Sequence, residues 1–285
     1  MKPLNKDAIQ EKMILQYSDS KFNAFLDFMP IVYPNFLNII RWRESIRTKM
    51  RIISLLSKDI FQQYQLTVDQ KEKDKLEGYG DGIAASLLLI RFENYLNAVY
   101  SLLNNLAYIG QISHKGLAHQ FNTQRERASN YRKKYPRYSE YLDLIENCQW
   151  YDQLHAMRTD ATHFLEGFVY YTDDGLGILY FDKEPKEFNN DVKLKIEDIR
   201  IYTEQNIKDL SDFLDCFGEY YLTKYCNNES SIPLACPILV VNGKSFFSGF
   251  RSVTYEEYQN KNIGRCMSKD PTCKFKDFCP ARQAK

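Results

Sequence analysis

One apolar segment, residues 83–109, constrains the fold of this chain more than any other part of its sequence. Apolar side chains occupy most positions there, and the main polar exceptions are Arg91, Glu93, Asn94, Asn97, Asn104 and Asn105. A helix that is apolar on most of its faces lies at the centre of a bundle or is buried in an oligomer interface. We therefore expect other helices, or a second chain, to cover this one.

Helical patterns also flank this segment. Residues 35–60 carry apolar side chains at three- and four-residue steps, with Arg and Lys on much of the opposite face, which is typical of an amphipathic helix. Residues 138–148, 150–168 and 201–226 favour helices as well. The chain has only 12 glycines and 9 prolines in 285 residues, and this low content disfavours loop-rich all-β folds. The sequence thus predicts a mainly helical protein.

After Gly167 the hydrophobic period changes to two. The stretch FVYYTDDGLGILYFDK has aromatic and aliphatic residues on both sides of its Asp-Asp-Gly turn, which predicts a β-hairpin near 168–183. Residues 192–196 favour a third strand, and NNESSIP at 227–233 is typical of a linker. We expect three regions: an N-terminal helical region 1–80, a helical domain 81–226 with the hairpin as an insertion, and a small Cys-rich module 232–285.

Composition narrows the class of protein. With 44% hydrophobic and 26% charged residues the chain has the balance of a globular protein with a core rather than of a disordered one. The polar N-terminus lacks the apolar region of a secretory signal, and the run Ile83–Ile90 is too short to cross a bilayer. Seven Cys in a chain of this length do not form a disulfide framework. We therefore expect a cytoplasmic protein with no membrane partner.

The helix predicted from Trp150 onward holds the most informative motif, HAMRTDATHF. At about 100° per residue, one face of this helix is apolar and consists of Leu154, Met157, Ala161, Phe164, Leu165 and Phe168. Arg158 and His163 lie on the other side, separated by roughly 140° and about 7.5 Å of rise. A straight helix does not place them in contact, but the long Arg side chain allows both to border one polar groove.

Such a pair suits phosphodiester cleavage. A neutral imidazole can deprotonate a ribose 2′-hydroxyl or, once charged, protonate the leaving 5′-oxygen. A guanidinium can hold the phosphate and stabilise the charge that grows in the transition state, and no metal is required. The alternative is structural: Arg158 pairs with a carboxylate and His163 is a solvated or core histidine.

The motif R-T-D-A-T-H, Arg158 to His163, on a helix that follows an apolar helical segment, resembles the R-x4-6-H signature of the HEPN superfamily. The resemblance covers roughly residues 80–225 and implies an all-α bundle, a metal-independent endoribonuclease and a homodimer whose two motif helices face one another. It implies that His163 is general base or acid, Arg158 the phosphate clamp and Asp160 an orienter of an imidazole. His155 is a candidate second imidazole, with a surface histidine as the alternative.

A basic segment, residues 115–138, precedes the motif helix with seven Lys and Arg against one acid. It supplies candidate RNA contacts, since phosphate neutralisation supplies most non-specific affinity and Tyr rings can stack on bases. These candidates are Arg125, Arg127, Tyr131, Arg132, Lys133 and Lys134. The alternative is an ordinary solvated helix face.

Four cysteines in the last fifty residues, Cys236, Cys266, Cys273 and Cys279, predict a structural zinc site, with an iron–sulfur cluster or free thiols as alternatives. The spacing of the last three is similar to an RNA-binding zinc finger with three Cys and one His, but Gln283 stands where the His would lie. Cys236 is therefore the candidate fourth ligand.

Together these features predict an HEPN-like endoribonuclease that needs no cofactor for catalysis and acts on RNA, in a toxin or antiviral defence role with an antitoxin or regulatory partner. One alternative is a non-catalytic HEPN-like module that binds RNA or a nucleotide or regulates a partner. Thr159 favours this alternative, because the family usually has Asn, Asp or His directly after the Arg. A second alternative is a helical scaffold in which the motif is accidental.

Overall fold

A computed structural model describes residues 20–33, 38–74, 78–80, 82–163, 165–172, 175–182, 194–227, 229–235, 238–241, 244–247 and 250–256. Within them the protein is mainly helical, as predicted. The helices are α1 Lys21–Val32, α2 Ile39–Asp74, α3 Ile83–Ser113, α4 Phe121–Glu126, α5 Ala128–Lys134, α6 Ser139–Glu146, α7 Trp150–His163 and α8 Ile199–Tyr225, with a 3-10 turn at Pro136–Tyr138. The strands are β1 Gly78–Gly80, β2 Leu165–Tyr171, β3 Leu176–Asp182, β4 Leu194–Ile196, β5 Ser231–Ala235, β6 Ile238–Val241, β7 Lys244–Phe247 and β8 Phe250–Thr254.

The chain forms two compact units, and their boundaries fall inside α2 and α8. The described part of the first unit lies within Glu44–Leu214, and that of the second lies within Ser18–Arg43 and Asp215–Lys285. The predicted division into the regions 1–80, 81–226 and 232–285 stays a prediction. The motif helix and the basic segment belong to the first unit.

Helix α3 is the core helix of the first unit, one of the two alternatives predicted for the apolar segment. It buries Leu88, Phe92, Tyr95, Leu96, Val99, Leu102, Leu103 and Leu106 completely. Helix α2 runs antiparallel to it: Gln63 Nε2 donates to the carbonyl of Ala84 at 3.0 Å, and Arg91 donates to the carbonyl of Asp59 at 3.2 Å. Helix α7 packs on α3.

A four-stranded antiparallel sheet with the strand order β1-β2-β3-β4 contains the predicted hairpin. In the hairpin Val169 pairs with Ile178, and Ile178 pairs with Ile196 of the predicted third strand. Strand β1 is not predicted, since two of its three residues are glycines, which are depleted in strands.

The predicted helix 150–168 is too long. Helix α7 ends at His163, and Leu165 begins β2, where it pairs with Asp182. Leu165 and Phe168 therefore belong to the sheet rather than to the apolar face of the helix. The alternation that continues to Tyr171 gives this segment a cross-strand partner at every residue, and this pairing takes precedence over the helical spacing.

The second unit contains an aromatic core. Phe25 stacks on Tyr221 at 5.1 Å between ring centroids, and Phe217 meets Phe25 edge to face at 5.8 Å. Strand β5 pairs with β8, and β6 with β7. The predicted linker 227–233 is wrong at its end, because Ser231–Ala235 forms β5. None of the described helices is long and apolar enough to span a membrane.

Candidate active site

Helix α7 is oriented by its buried side. Tyr151, Leu154 and Met157 are fully buried against the core, at helical steps of three residues. At about 100° per residue, His155 and Arg158 lie at one edge of this buried side, and both are half-buried. The two side chains are one turn apart on the same face, next to α3.

Arg158 is held by two residues of α3. Its Nε donates to Asn97 Oδ1 at 3.2 Å, and its Cζ lies 4.6 Å from the centroid of the Tyr100 ring. The structural alternative predicted a carboxylate partner, but these two described partners are an uncharged amide and an aromatic ring. They orient the guanidinium without cancelling its charge, so its Nη atoms can donate to an oxyanion.

His155 lies against the same ring. The centroid of its imidazole is 5.8 Å from that of Tyr100 and 5.5 Å from that of Tyr151. Partial burial lowers the pKa of His155 below its usual value of 6.5, and Arg158 and Arg125 lower it further, whereas Glu126 and Asp152 oppose the shift. The imidazole is therefore neutral at neutral pH and able to accept a proton.

The basic segment folds into α4, α5 and the 3-10 turn, and its charge is partly neutralised there. Arg125 forms an ion pair with Asp152 of α7, with 3.1 Å between Nη2 and Oδ2, and only 13% of its side chain is exposed. Arg132 donates to Glu146 at 2.6 Å and also pairs with Asp143. Of the candidate RNA contacts, Arg127, Lys133 and Lys134 are exposed. Tyr131 stacks on Tyr135, with 6.5 Å between the ring centroids.

His163 is the last residue of α7, and Asp160 lies one turn earlier on the same helix. The side chains of both lie outside the described part of the chain. The structure therefore brings Arg158 together with Asn97, Tyr100 and His155, while the distance from Arg158 to His163 stays a prediction from the helical spacing.

Sequence reasoning missed Asn97 and Tyr100 as partners of the motif arginine. Asn97 did carry a signal, because it is one of the few polar residues in the apolar segment that became α3. Tyr100 carried none, since a tyrosine in an apolar helix is usually a core residue. Only the packing of α7 on α3 shows that both lie beneath Arg158.

The described residues contain no group of three or more His, Cys, Asp or Glu that could hold a metal ion. The predicted ligands Cys236, Cys266, Cys273 and Cys279 lie outside the described residues, so the zinc site stays a prediction. Within the described residues, Cys226 has a pKa raised to about 11 by burial and is therefore an unreactive thiol at neutral pH.

Comparison of the chain with protein-family models, with curated proteins and with solved structures found no match. The assignment of the candidate site therefore rests on the sequence and the structure of this chain alone.

Proposed function

We propose that this protein is a metal-independent endoribonuclease of the HEPN type, with Arg158 and His163 as its catalytic pair. The observation that carries the proposal is the environment of Arg158. Its guanidinium is half-buried and oriented by Asn97 and Tyr100, as a phosphate clamp requires. An arginine with a purely structural role would more often pair with a carboxylate, as Arg125 does.

In the proposed reaction the ribose 2′-oxygen attacks the adjacent phosphorus and the bond from phosphorus to the 5′-oxygen breaks. Arg158 binds the phosphate oxygens, whose negative charge increases in the transition state. His163 transfers a proton, either from the 2′-hydroxyl or to the leaving 5′-oxygen. The products carry a 2′,3′-cyclic phosphate and a 5′-hydroxyl.

A homodimer is part of the proposal, and an exposed apolar stripe on α3 supports it. Ile83, Leu87 and Ile90 are 81%, 40% and 53% exposed and follow one another at helical steps. The same face continues through Asn94, which is exposed, to Asn97, the partner of Arg158. A second copy that covers this stripe would therefore also cover the edge of the candidate site.

The test is cleavage of a mixed-sequence RNA in the presence of EDTA. We expect wild-type protein to release fragments with 2′,3′-cyclic phosphate ends, and R158A and H163A to lose about 100-fold in rate or more. R158K should also be impaired, because an ammonium cannot form the bidentate contact. H119A is the matched control, since His119 is exposed and outside the site. Activity that needs a divalent metal, or that persists in H163A, would contradict the mechanism.

A non-catalytic RNA-binding or regulatory module is the second candidate, and Thr159 is the observation that favours it. Expression in a bacterial host separates the two functions. Growth arrest that R158A relieves supports the nuclease, whereas RNA binding without cleavage by the wild-type protein supports the module.

A further inference from the structure

We propose that His155 is the general base of this site, which takes the proton of the 2′-hydroxyl beside Arg158. This inference rests on the proposed ribonuclease function and deepens it. It leaves His163 with the second proton transfer, to the leaving 5′-oxygen.

Tyr100 contacts the side chains of both Arg158 and His155 and so places them next to each other. The Arg158 Cζ atom lies 4.6 Å from its ring centroid and the His155 ring lies 5.8 Å from it. Residues three apart on a helix are neighbours on its surface, so the imidazole and the guanidinium face the same side of α7. A phosphodiester held by Arg158 would therefore place its ribose within reach of His155.

The packing fixes the position of the imidazole. Tyr100 lies on one side of the ring and Tyr151 is 5.5 Å away. Tyr151 is fully buried, whereas His155 is only half-buried and remains open to solvent. A general base needs this combination of a fixed ring and an accessible nitrogen.

Partial burial, rather than the surrounding charge, favours the neutral form of His155 by lowering its pKa. Arg158 and Arg125 are the cations that act on it, and Glu126 and Asp152 are the anions. Arg125 forms an ion pair with Asp152 and so reduces the effect of this carboxylate on His155. The imidazole therefore stays unprotonated in the resting protein, as the acceptor of a proton must.

The step balances without a cofactor. The 2′-hydroxyl proton moves to a ring nitrogen of His155 as the bond from the 2′-oxygen to phosphorus forms. The 5′-oxygen leaves with the electrons of its bond to phosphorus and receives a proton from His163. Proton exchange with water then restores the two imidazoles.

Substrates that differ in the leaving group separate the two roles. A dinucleotide with the ordinary 5′-oxygen requires a general acid, whereas one with a bridging 5′-sulfur releases a thiolate and does not. We expect H155A to lose about 100-fold on both substrates, and H163A to lose about as much on the oxygen substrate but to approach wild type on the sulfur substrate. Added imidazole should partly restore H155A.

The pH dependence gives a readout that a structural role would not change. In wild-type protein kcat/KM should fall as pH decreases through the pKa of His155, and this acidic limb should be absent in H155Q. Melting temperatures of H155A and H155Q check that both fold, and H119A serves again as the control.

The outcomes are distinct. If H155A cleaves within a few-fold of wild type while R158A and H163A do not, the inference is wrong and the proposed function stands. If the defect of H155A disappears on the sulfur substrate, His155 is the acid instead of the base. If wild-type protein cleaves neither substrate, both the inference and the proposed function are rejected.

Discussion

Replacing Asp198 with Ala should destabilise the first unit, because this carboxylate joins the hairpin turn to two helices. Its Oδ1 accepts from the backbone N–H groups of Arg200 and Ile201 at 2.8 and 3.0 Å and so caps α8. Its Oδ2 accepts from the hydroxyl of Tyr64 at 2.9 Å, and that hydroxyl accepts from the N–H of Leu176 at the start of β3 at 3.1 Å.

The expected loss of stability follows from these hydrogen bonds. Loss of a helix N-cap costs about 1 kcal/mol, and loss of a buried hydrogen bond to a charged acceptor costs about 1.5 kcal/mol or more. We expect D198A to lower the free energy of unfolding by about 2–3 kcal/mol, and Tyr64→Phe by about 1.5 kcal/mol. Because Tyr64 is only 4% exposed, water cannot readily replace its missing partner.

Urea unfolding followed by circular dichroism measures both variants and their combination. The double variant should be less destabilised than the sum of the two single variants, by about 1 kcal/mol, since both remove the same bond. D212A, which alters an exposed Asp on the same helix, is the control for loss of a carboxylate from α8. Additive effects, or a change below about 0.5 kcal/mol for D198A, would refute the argument.

Two further predictions concern binding and assembly. K133E/K134E should weaken RNA binding and reduce the slope of log affinity against log salt by about 0.7 for each phosphate that the variant no longer neutralises. Titration at several salt concentrations measures both effects. K73E/K208E is the charge-matched control, and equal weakening in both variants would count against a specific surface. Ile90→Glu places a charge on the α3 stripe and should convert the proposed dimer to a monomer in analytical ultracentrifugation, whereas a dimer of unchanged mass would place the interface elsewhere.

The fold was largely predictable because each main element has its own periodic signal. The apolar segment predicted α3 to within a few residues, and the change of period at Gly167 predicted the hairpin. The errors occur where two patterns overlap. Residues 165–168 satisfy both a helical face and an alternating strand, and only pairing with β3 decides between them.

The charge of the basic segment was not predictable from its composition. Residues 139–152 carry four acids and no Lys or Arg, and they fold back so that Asp143, Glu146 and Asp152 meet Arg132 and Arg125. A count along the chain cannot show this, because the acids and bases belong to different helices. The segment is therefore less positive in space than in sequence, and its exposed Lys133 and Lys134 are the better candidates for RNA contact.

The partners of Arg158 distinguish it from the other arginines near the site. Arg125 and Arg132 each lie against a carboxylate, so a phosphate would have to compete with that bond before it gained one. The described partners of Arg158 are an amide oxygen and an aromatic ring, which fix its plane and leave its charge uncompensated. A charge-assisted hydrogen bond contributes about twice as much as a neutral one. An anion that binds near these arginines therefore gains the most binding free energy at Arg158, and the imidazole of His155 lies beside the same Tyr100 ring.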